Sequence, residues 1–152
     1  MGIDDFRRQL AGFRLVALDT MVFSYHLAAH PRYSTLTTEV LDAIESGQLA
    51  GITTTVTLAE ILTVPARAGN RLAFQDYELY LTRFPNLQIV PLDITLAREA
   101  ALVRGETTLR TPDAIQIAAA RLAGADAIVT NDHRWAGRIV QPAVVLLDDY
   151  AA

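Results

Sequence analysis

Short apolar runs alternate with longer stretches of helical periodicity along the chain. The first run, residues 14–19, is almost continuously apolar, which is typical of a strand buried on both faces. Four more runs predict strands over residues 50–54, 87–91, 127–130 and 143–147. Strands separated by helices favour an α/β sandwich with a mainly parallel sheet and helices on both of its faces.

The segments between these strands have apolar side chains three and four positions apart, which predicts helices. The first five are predicted from residue 21 to before residue 31, and at about 35–46, 55–66, 71–83 and 93–104. We expect Pro65 and Gly69 to end the third of these helices, and Asp93 to cap the fifth.

The sixth predicted helix has the clearest boundary signals. Thr111 is the predicted cap, Pro112 is a favoured first helical residue, and Gly124 closes the helix. Its predicted core stripe consists of Ile115, Ala118, Ala119 and Leu122. A short helix is also expected after the fourth strand, with Trp135 packing it against the sheet.

Composition narrows the class of protein. The 152 residues suit one compact domain spanning residues 1–152, and 51% hydrophobic with 20% charged residues exclude a disordered chain. The absence of cysteine excludes disulfide frameworks, thiolate metal sites and cysteine nucleophiles. No secretory signal and no run long enough to cross a bilayer is visible, so we expect a cytoplasmic protein without membrane contact.

The net charge of the chain is only weak evidence about nucleic-acid binding. A net charge of −4 argues against a general nucleic-acid-binding surface, because phosphate contacts favour basic faces. It leaves open an enzyme that holds RNA through a bound cation. All 13 basic residues are arginines, which hold phosphates or carboxylates through paired hydrogen bonds.

Four acidic residues fall where predicted strands end or where the next helix begins. Asp19 ends the first strand, and Asp132 follows the fourth. Asp113 lies in the first turn of the helix before the fourth strand, and Glu60 in the helix after the second. If the first and fourth strands are neighbours, these acids share the edge of the sheet where open α/β folds bind ligands.

Clustered carboxylates repel one another, and a divalent cation relieves that repulsion. Oxygen ligands without histidine or cysteine suit Mg²⁺ or Mn²⁺, and a metal-activated water can attack a phosphodiester. Each acid alone also has a structural explanation. Asp113 complements a helix dipole, Glu60 fits a capping box, Asn131 or Asp132 could cap a helix, and Asp19 could be a polar strand end. Their joint placement favours a metal site.

Four segments then resemble the PIN-domain family, and especially its VapC-type toxins. They are Leu18-Asp19-Thr20, Thr57-Leu-Ala-Glu60, Thr111-Pro112-Asp113-Ala114-Ile115-Gln116-Ile117-Ala118, and Thr130-Asn131-Asp132 with Arg134-Trp135. The resemblance implies a three-layer sandwich with a five-stranded, mainly parallel sheet flanked by helices. It also implies an endoribonuclease that uses Mg²⁺, for which Mn²⁺ may substitute, and cuts RNA with metal-activated water.

The resemblance further assigns roles and partners. It implies a metal site and catalytic acids at Asp19, Glu60, Asp113 and Asp132, with Asp19 and Asp113 as the most direct ligands, and support from Thr20, Thr130 and Asn131. It implies a homodimer and a small antitoxin whose tail blocks the site. The chain departs from the family at Met21-Val22-Phe23, where relatives often carry a small polar residue, so that polar support on this side is expected from Thr20 alone.

Several other residues and functions remain as alternatives. Arg110 and Arg134 flank two of the acids and are candidate phosphate contacts, with surface ion pairs as the alternative. His26 and His30 have a zinc-compatible spacing but no third ligand nearby, so we expect no metal there. The alternative functions are an RNA-processing nuclease without an antitoxin, a magnesium-dependent signalling module, and an interaction domain; the absence of lysine argues against a phosphoacceptor.

Overall fold

A computed structural model describes all residues from 1 to 152. Its five strands are β1 (Leu15–Leu18), β2 (Ala50–Thr54), β3 (Leu87–Val90), β4 (Ala127–Thr130) and β5 (Ala143–Leu146). Its seven α-helices are α1 (Ile3–Ala11), α2 (Thr20–Leu27), α3 (Ser34–Glu45), α4 (Thr55–Arg67), α5 (Arg71–Thr82), α6 (Ile94–Thr107) and α7 (Thr111–Ala123). A 3₁₀ turn, Leu147–Asp149, follows β5.

The strands form one sheet in the order β3-β2-β1-β4-β5, and every neighbouring pair is parallel. Along the chain, β2 pairs with one edge of β1 and β3 pairs with β2. Strand β4 then pairs with the other edge of β1, and β5 pairs with β4. The strand order therefore reverses between β1 and β4, which places a crevice at their carboxyl ends. The first and fourth strands are neighbours, which was the condition for Asp19 and Asp132 to share one edge of the sheet.

The two faces of the sheet have separate apolar cores because side chains alternate along each strand. Val16 and Leu18 of β1 join the larger core with helices α1 to α5, and Ala17 joins the smaller core with α6 and α7. The same alternation holds in β4, where Val129 and Ile128 point to opposite cores. The result is the predicted three-layer α/β sandwich.

Gly51 marks a close approach between β2 and α3. A Cβ added to this glycine would lie 2.7 Å from Cδ1 of Ile44, a fully buried side chain of α3. The absence of a side chain here lets the helix lie directly on the strand. This contact helps to set the position of β2, which leads into α4 and one of the candidate acids.

Several predicted helix ends need correction. The helix predicted over residues 55–66 is α4, which ends one residue later at Arg67; Pro65 lies in its last turn, where it removes the hydrogen bond that its own N–H would donate. Gly69 does adopt the left-handed conformation that stops a helix, at φ 65°. Asp93 caps α6 as predicted, since its Oδ1 accepts from the backbone N–H of Leu96 at 2.8 Å.

Helix α7 differs from the prediction in its cap and its stripe. Arg110 occupies the cap position without a side-chain hydrogen bond, and Thr111 is already helical, so the predicted threonine cap is wrong. Leu122 is 51% exposed rather than part of the core, and the buried part of the helix ends at Ala120. Gly124 closes the helix at φ 69°, as predicted.

The segment before β1 and the segment after β4 also differ from the prediction. Residues 3–11 form α1, an amphipathic helix not predicted from the sequence, which buries Phe6 and Leu10 against the larger core. The segment after β4 consists of turns rather than the expected short helix. Trp135 in this segment is nevertheless fully buried in the smaller core. None of the helices has the length and apolar character needed to cross a membrane.

Candidate active site

A cleft of about 280 Å³ opens at the carboxyl ends of β1 and β4, where the strand order reverses. The four acids and both arginines singled out in the sequence line it: Asp19, Glu60, Asp113, Asp132, Arg110 and Arg134. A larger cavity, of about 620 Å³, lies between α4 and α5 and contains none of these side chains. The four acids therefore converge in the smaller cleft, which is the candidate active site.

Asp19 is the most buried of the four acids, with only 7% of its surface exposed. It caps α2: its Oδ1 accepts from the backbone N–H of Thr20 at 2.8 Å, and its Oδ2 accepts from the Thr130 hydroxyl at 2.8 Å. The pKa of Asp19 is raised to about 6, chiefly by burial and to a smaller extent by the charges of Asp113 and Glu60, although these two hydrogen bonds lower it. The carboxylate is held rigidly in an environment that disfavours its charge.

Asp113 and Asp132 face each other across the cleft, from the first turn of α7 and the loop after β4. Burial, followed by the charge of Asp132, raises the pKa of Asp113. The pKa of Asp132 is instead lowered, chiefly by hydrogen bonds from the Arg134 guanidinium, whose Nε lies 2.9 Å from Oδ1. Nη2 of Arg134 also lies 3.5 Å from Oδ2 of Asp113, so that one arginine spans both acids.

Glu60 approaches the cleft from α4 and is exposed. The hydroxyl of Thr20 donates to its Oε1 at 2.8 Å. Thr20 therefore supports two acids in different ways, because its backbone N–H binds Asp19 and its side chain binds Glu60. Thr130 likewise connects two acids, since its hydroxyl donates to Asp19 and accepts from the backbone N–H of Asp132 at 3.1 Å.

Two residues beside the acids have contacts that the sequence did not suggest. The side chain of Asn131 touches none of the acids; its Oδ1 accepts from the backbone N–H of Asp148 at 2.9 Å and ties the loop to the end of β5. The sulfur of Met21 lies 2.8 Å from the backbone nitrogen of Asn131. A thioether sulfur has no proton to donate to a carboxylate, so within residues 20–23 the hydrogen bonds to the acids come from Thr20.

A group of buried polar side chains beneath the cleft was also missed. Gln116, which is 3% exposed, donates from Nε2 to the Thr57 hydroxyl at 2.7 Å and accepts at Oε1 from the Thr54 hydroxyl at 2.9 Å. The Thr53 hydroxyl lies 2.7 Å from that of Thr57 and 2.9 Å from the carbonyl oxygen of Leu18. The available signal was an amide at position 116, one helical turn after Asp113, in an otherwise apolar helix.

The arginines and histidines differ in their relation to the acids. Arg110 lies 3.9 Å from Asp113 and Arg134 bridges two acids, so both currently form ion pairs at the rim of the cleft. The nearby His133 is exposed and lies 2.6 Å from Asp148, outside the cleft. His26 contacts the Thr37 hydroxyl at 3.2 Å, and the ring of His30 packs against tyrosines.

The donor set of the cleft consists of oxygen ligands alone. Carboxylates without imidazole or thiolate suit hard cations such as Mg²⁺ and Mn²⁺ rather than Zn²⁺. In the arrangement described here, no three acidic, histidine or cysteine side chains lie close enough to enclose a metal ion. Because Mg²⁺ retains several of its waters, one or two direct carboxylate contacts are enough, and the cleft fits such a cation in its chemistry.

Comparison with known proteins relates this site to a family. The model of the PIN domain matches residues 16–138. VapBC2 from Rickettsia felis, bound to a promoter DNA fragment, is similar in structure with a TM-score of 0.68 and 17% identity over 87% of this chain and 98% of that one. FitAcB from Neisseria gonorrhoeae has a TM-score of 0.65 and 20% identity over 87% and 97% of the two chains.

VapC20 from Mycobacterium tuberculosis, described as a Sarcin-Ricin loop cleaving toxin, has a TM-score of 0.62 and 18% identity over 82% of this chain and 96% of that chain. No curated protein matches the sequence. At such identities the structural similarity concerns the fold alone. The family match, however, extends over most of the chain and includes all four acids of the cleft, and the chain belongs to the PIN domain family.

Proposed function

We propose that this protein is a metal-dependent endoribonuclease and the toxin of a toxin–antitoxin pair. The observation that carries the proposal is the convergence of four carboxylates in one cleft of a PIN domain. Two of them, Asp19 and Asp113, have raised pKa values, chiefly because they are buried. Acids with pKa values perturbed by burial in a cleft are typical of functional sites.

The same acids are the proposed ligands of Mg²⁺, for which Mn²⁺ can substitute. Asp19 and Asp113 are the proposed direct ligands, because both are at least partly buried. Asp19 forms no ion pair, and the two arginines paired with Asp113 lie 3.5 and 3.9 Å from its carboxylate, at the rim of the cleft. Asp132 and Glu60 complete the negative charge of the site. A bound divalent cation would activate a water molecule and stabilise the charge that develops at the phosphorus atom.

The chain's own residues have three further tasks in this proposal. Thr20 and Thr130 hold the carboxylates in place through hydrogen bonds, and Asn131 anchors the loop that carries Asp132. Arg134 and Arg110 lie at the rim, more than half exposed, where their guanidinium groups can pair with phosphates of RNA. Binding of RNA would exchange their present carboxylate partners for phosphates.

The toxin role is supported by the nature of the similar structures. The similar protein from Klebsiella pneumoniae was solved as a toxin–antitoxin complex, and the Rickettsia felis protein as VapBC2 on promoter DNA. This chain covers 97% and 98% of those proteins, so it matches them as a whole rather than through a shared fragment. We therefore propose a small antitoxin as partner, a homodimer as the assembly, and the cytoplasm as the location.

Cleavage of RNA by the purified protein tests the enzyme. A mixed RNA pool, a sarcin–ricin loop hairpin and its DNA counterpart would each be incubated with Mg²⁺, Mn²⁺ or EDTA. We expect cleavage of RNA only, lost with EDTA and lost in an Asp19→Asn/Asp113→Asn variant. Asp76→Asn, which neutralises an exposed acid on α5 outside the cleft, is the matched control and should remain active.

Two results would contradict the nuclease. One is the absence of both cleavage and Mn²⁺ binding in the intact protein, and the other is equal cleavage by the intact protein and the folded double variant. The toxin role has a separate test in living cells. Expression should arrest growth, co-expression of the small protein encoded beside it should restore growth, and the double variant should be harmless.

A further inference from the structure

The buried amide of Gln116 lies directly beneath the proposed site. Gln116 follows Asp113 by one turn of α7, so both side chains leave the helix on the same face. Its amide contacts hydroxyls from three other elements: Thr54 at the end of β2, Thr57 of α4 and Thr20 of α2. This amide is therefore the point at which the elements that carry the acids are joined by hydrogen bonds.

Buried polar residues are concentrated at this end of the molecule. Eight polar or charged side chains are buried in the whole structure, and six of them lie at or beneath the carboxyl ends of β1, β2 and β4. These six are Asp19, Thr53, Thr54, Thr57, Gln116 and Thr130. Burying hydrogen-bonding groups is costly unless each one finds a partner, so a satisfied cluster of this kind indicates a need for defined geometry.

The direction of the hydrogen bonds follows from counting protons. The Thr54 hydroxyl accepts from the backbone N–H of Val56 and uses its single proton for Oε1 of Gln116. This leaves Nε2 to face Thr57 at 2.7 Å and Thr20 at 3.4 Å, and an amide nitrogen can only donate. The Thr20 oxygen therefore accepts from the amide, and its own proton remains for Glu60 at 2.8 Å.

We propose that Gln116 is a positioning residue of the active site: by donating to the Thr20 oxygen it keeps the Thr20 hydroxyl directed at Glu60 and so holds that carboxylate toward the cleft. The inference rests on the proposed nuclease function. Without the amide, the Thr20 hydroxyl can rotate toward Thr57, whose oxygen is 3.2 Å away. Glu60, which is exposed and has no other hydrogen-bond donor, would then lose its orientation.

A double-mutant cycle between Gln116→Met and Thr20→Val tests this pathway. Methionine keeps the length of the side chain and removes its donors and acceptor. We expect each single variant to lower kcat for RNA about tenfold, the size of effect that one lost hydrogen bond gives. The double variant should be no slower than either single variant, because both substitutions break the same chain of hydrogen bonds.

Calorimetric titration with Mn²⁺ provides a reading that is independent of turnover. Both single variants should bind Mn²⁺ more weakly than the wild type. Thr107→Val, which removes a buried hydroxyl at the end of α6, is the control for general destabilisation and should leave Mn²⁺ affinity and kcat unchanged. If Gln116→Met does not fold, Gln116→Glu keeps the length and the bond to Thr54 but loses both donors, and the same cycle applies.

The outcomes separate this inference from the function on which it rests. Wild-type protein that neither binds Mn²⁺ nor cuts RNA would overturn both. An active wild type, together with Gln116 variants that match it or match Thr107→Val, would overturn only the positioning role. Independent losses that multiply in the double variant would also overturn it, because Gln116 would then not act through Thr20.

Discussion

Replacing Asp19 by asparagine should stabilise the metal-free protein at neutral pH although it removes a proposed metal ligand. Asp19 is 7% exposed, and burial raises its pKa to about 6 from an ordinary value of 3.8. The folded protein therefore binds the proton more tightly than the unfolded chain does. The stability associated with Asp19 is greatest below about pH 4 and is lost as the pH rises through about 6.

The magnitude follows from the two pKa values. A pKa difference of about two at about 1.4 kcal/mol for each pH unit makes the ionised form of Asp19 cost about 3 kcal/mol of unfolding free energy at pH 7. Asparagine resembles the neutral acid and does not titrate. If asparagine loses a hydrogen bond, the unfolding free energy of the variant changes by the same amount at every pH. The difference in unfolding free energy between the variant and the wild type should instead shrink by about 2 kcal/mol between pH 7 and pH 4.

Urea unfolding in EDTA at several pH values measures this difference. The only tryptophan, Trp135, is fully buried, so its fluorescence reports the loss of the native core. Asp126→Asn is the matched control at the opposite end of β4. The pKa of Asp126 is lowered by hydrogen bonds from the backbone N–H groups of Leu15 and Arg14, so this substitution should destabilise at neutral pH and lose its effect in acid.

The two aspartates thus have opposite expected signs. An Asp19→Asn variant whose stability relative to the wild type is independent of pH would refute the reasoning, because the carboxylate would then not be penalised by burial. The same conclusion would follow if the variant gained stability relative to the wild type on acidification. The control guards against a general effect of pH on the fold, which would move both variants in the same direction.

Three further substitutions address the support of the site and the core. Thr130→Val removes the hydroxyl that holds Asp19 and should weaken Mn²⁺ binding about 10- to 100-fold in calorimetry, and unchanged affinity would exclude this supporting role. Gly51→Ala should cost about 1–2 kcal/mol in urea unfolding, because the new methyl group meets Ile44, and a neutral result would mean that α3 can move. Arg134→Gln should raise the pKa of the neighbouring Asp132 in carboxylate NMR titrations and raise KM for RNA; an unaltered pKa would show that the ion pair does not persist in solution.

Much of the fold could be predicted because strand length and periodicity are local properties. The five strands were recognisable as short apolar runs, and β4 is buried at all four positions as its sequence suggested. Helix ends were harder to predict, as α7 shows by beginning at Thr111, the residue that was expected to cap it. Helix α1 was missed because its nine residues are mostly polar, and only its packing through Phe6 and Leu10 makes it stable.

In the candidate site, too, some positions could be predicted from the order of the strands, whereas others depend on how the helices pack. Asp19 and Asp132 follow neighbouring parallel strands, so their proximity follows from the strand order alone. The positions of Glu60 and Gln116 depend instead on how α4 and α7 pack around the ends of the strands, which no spacing in the sequence specifies. Gln116 belongs to one of the segments that resemble the PIN-domain family, but its contacts with three threonines are evident only from the structure.

Residues held by the sheet and residues held by side-chain hydrogen bonds should differ in how well the site tolerates their substitution. Acids at strand ends are held by the sheet itself, so Asp19 keeps its position as long as β1 and β4 pair. Glu60 is exposed, and a single hydroxyl orients it. Its geometry therefore depends on a chain of side-chain hydrogen bonds in which each member is replaceable by an apolar residue of similar size. Loss of activity with an intact fold should accordingly result more easily from substitutions at Thr20, Thr57 or Gln116 than from substitutions within the strands.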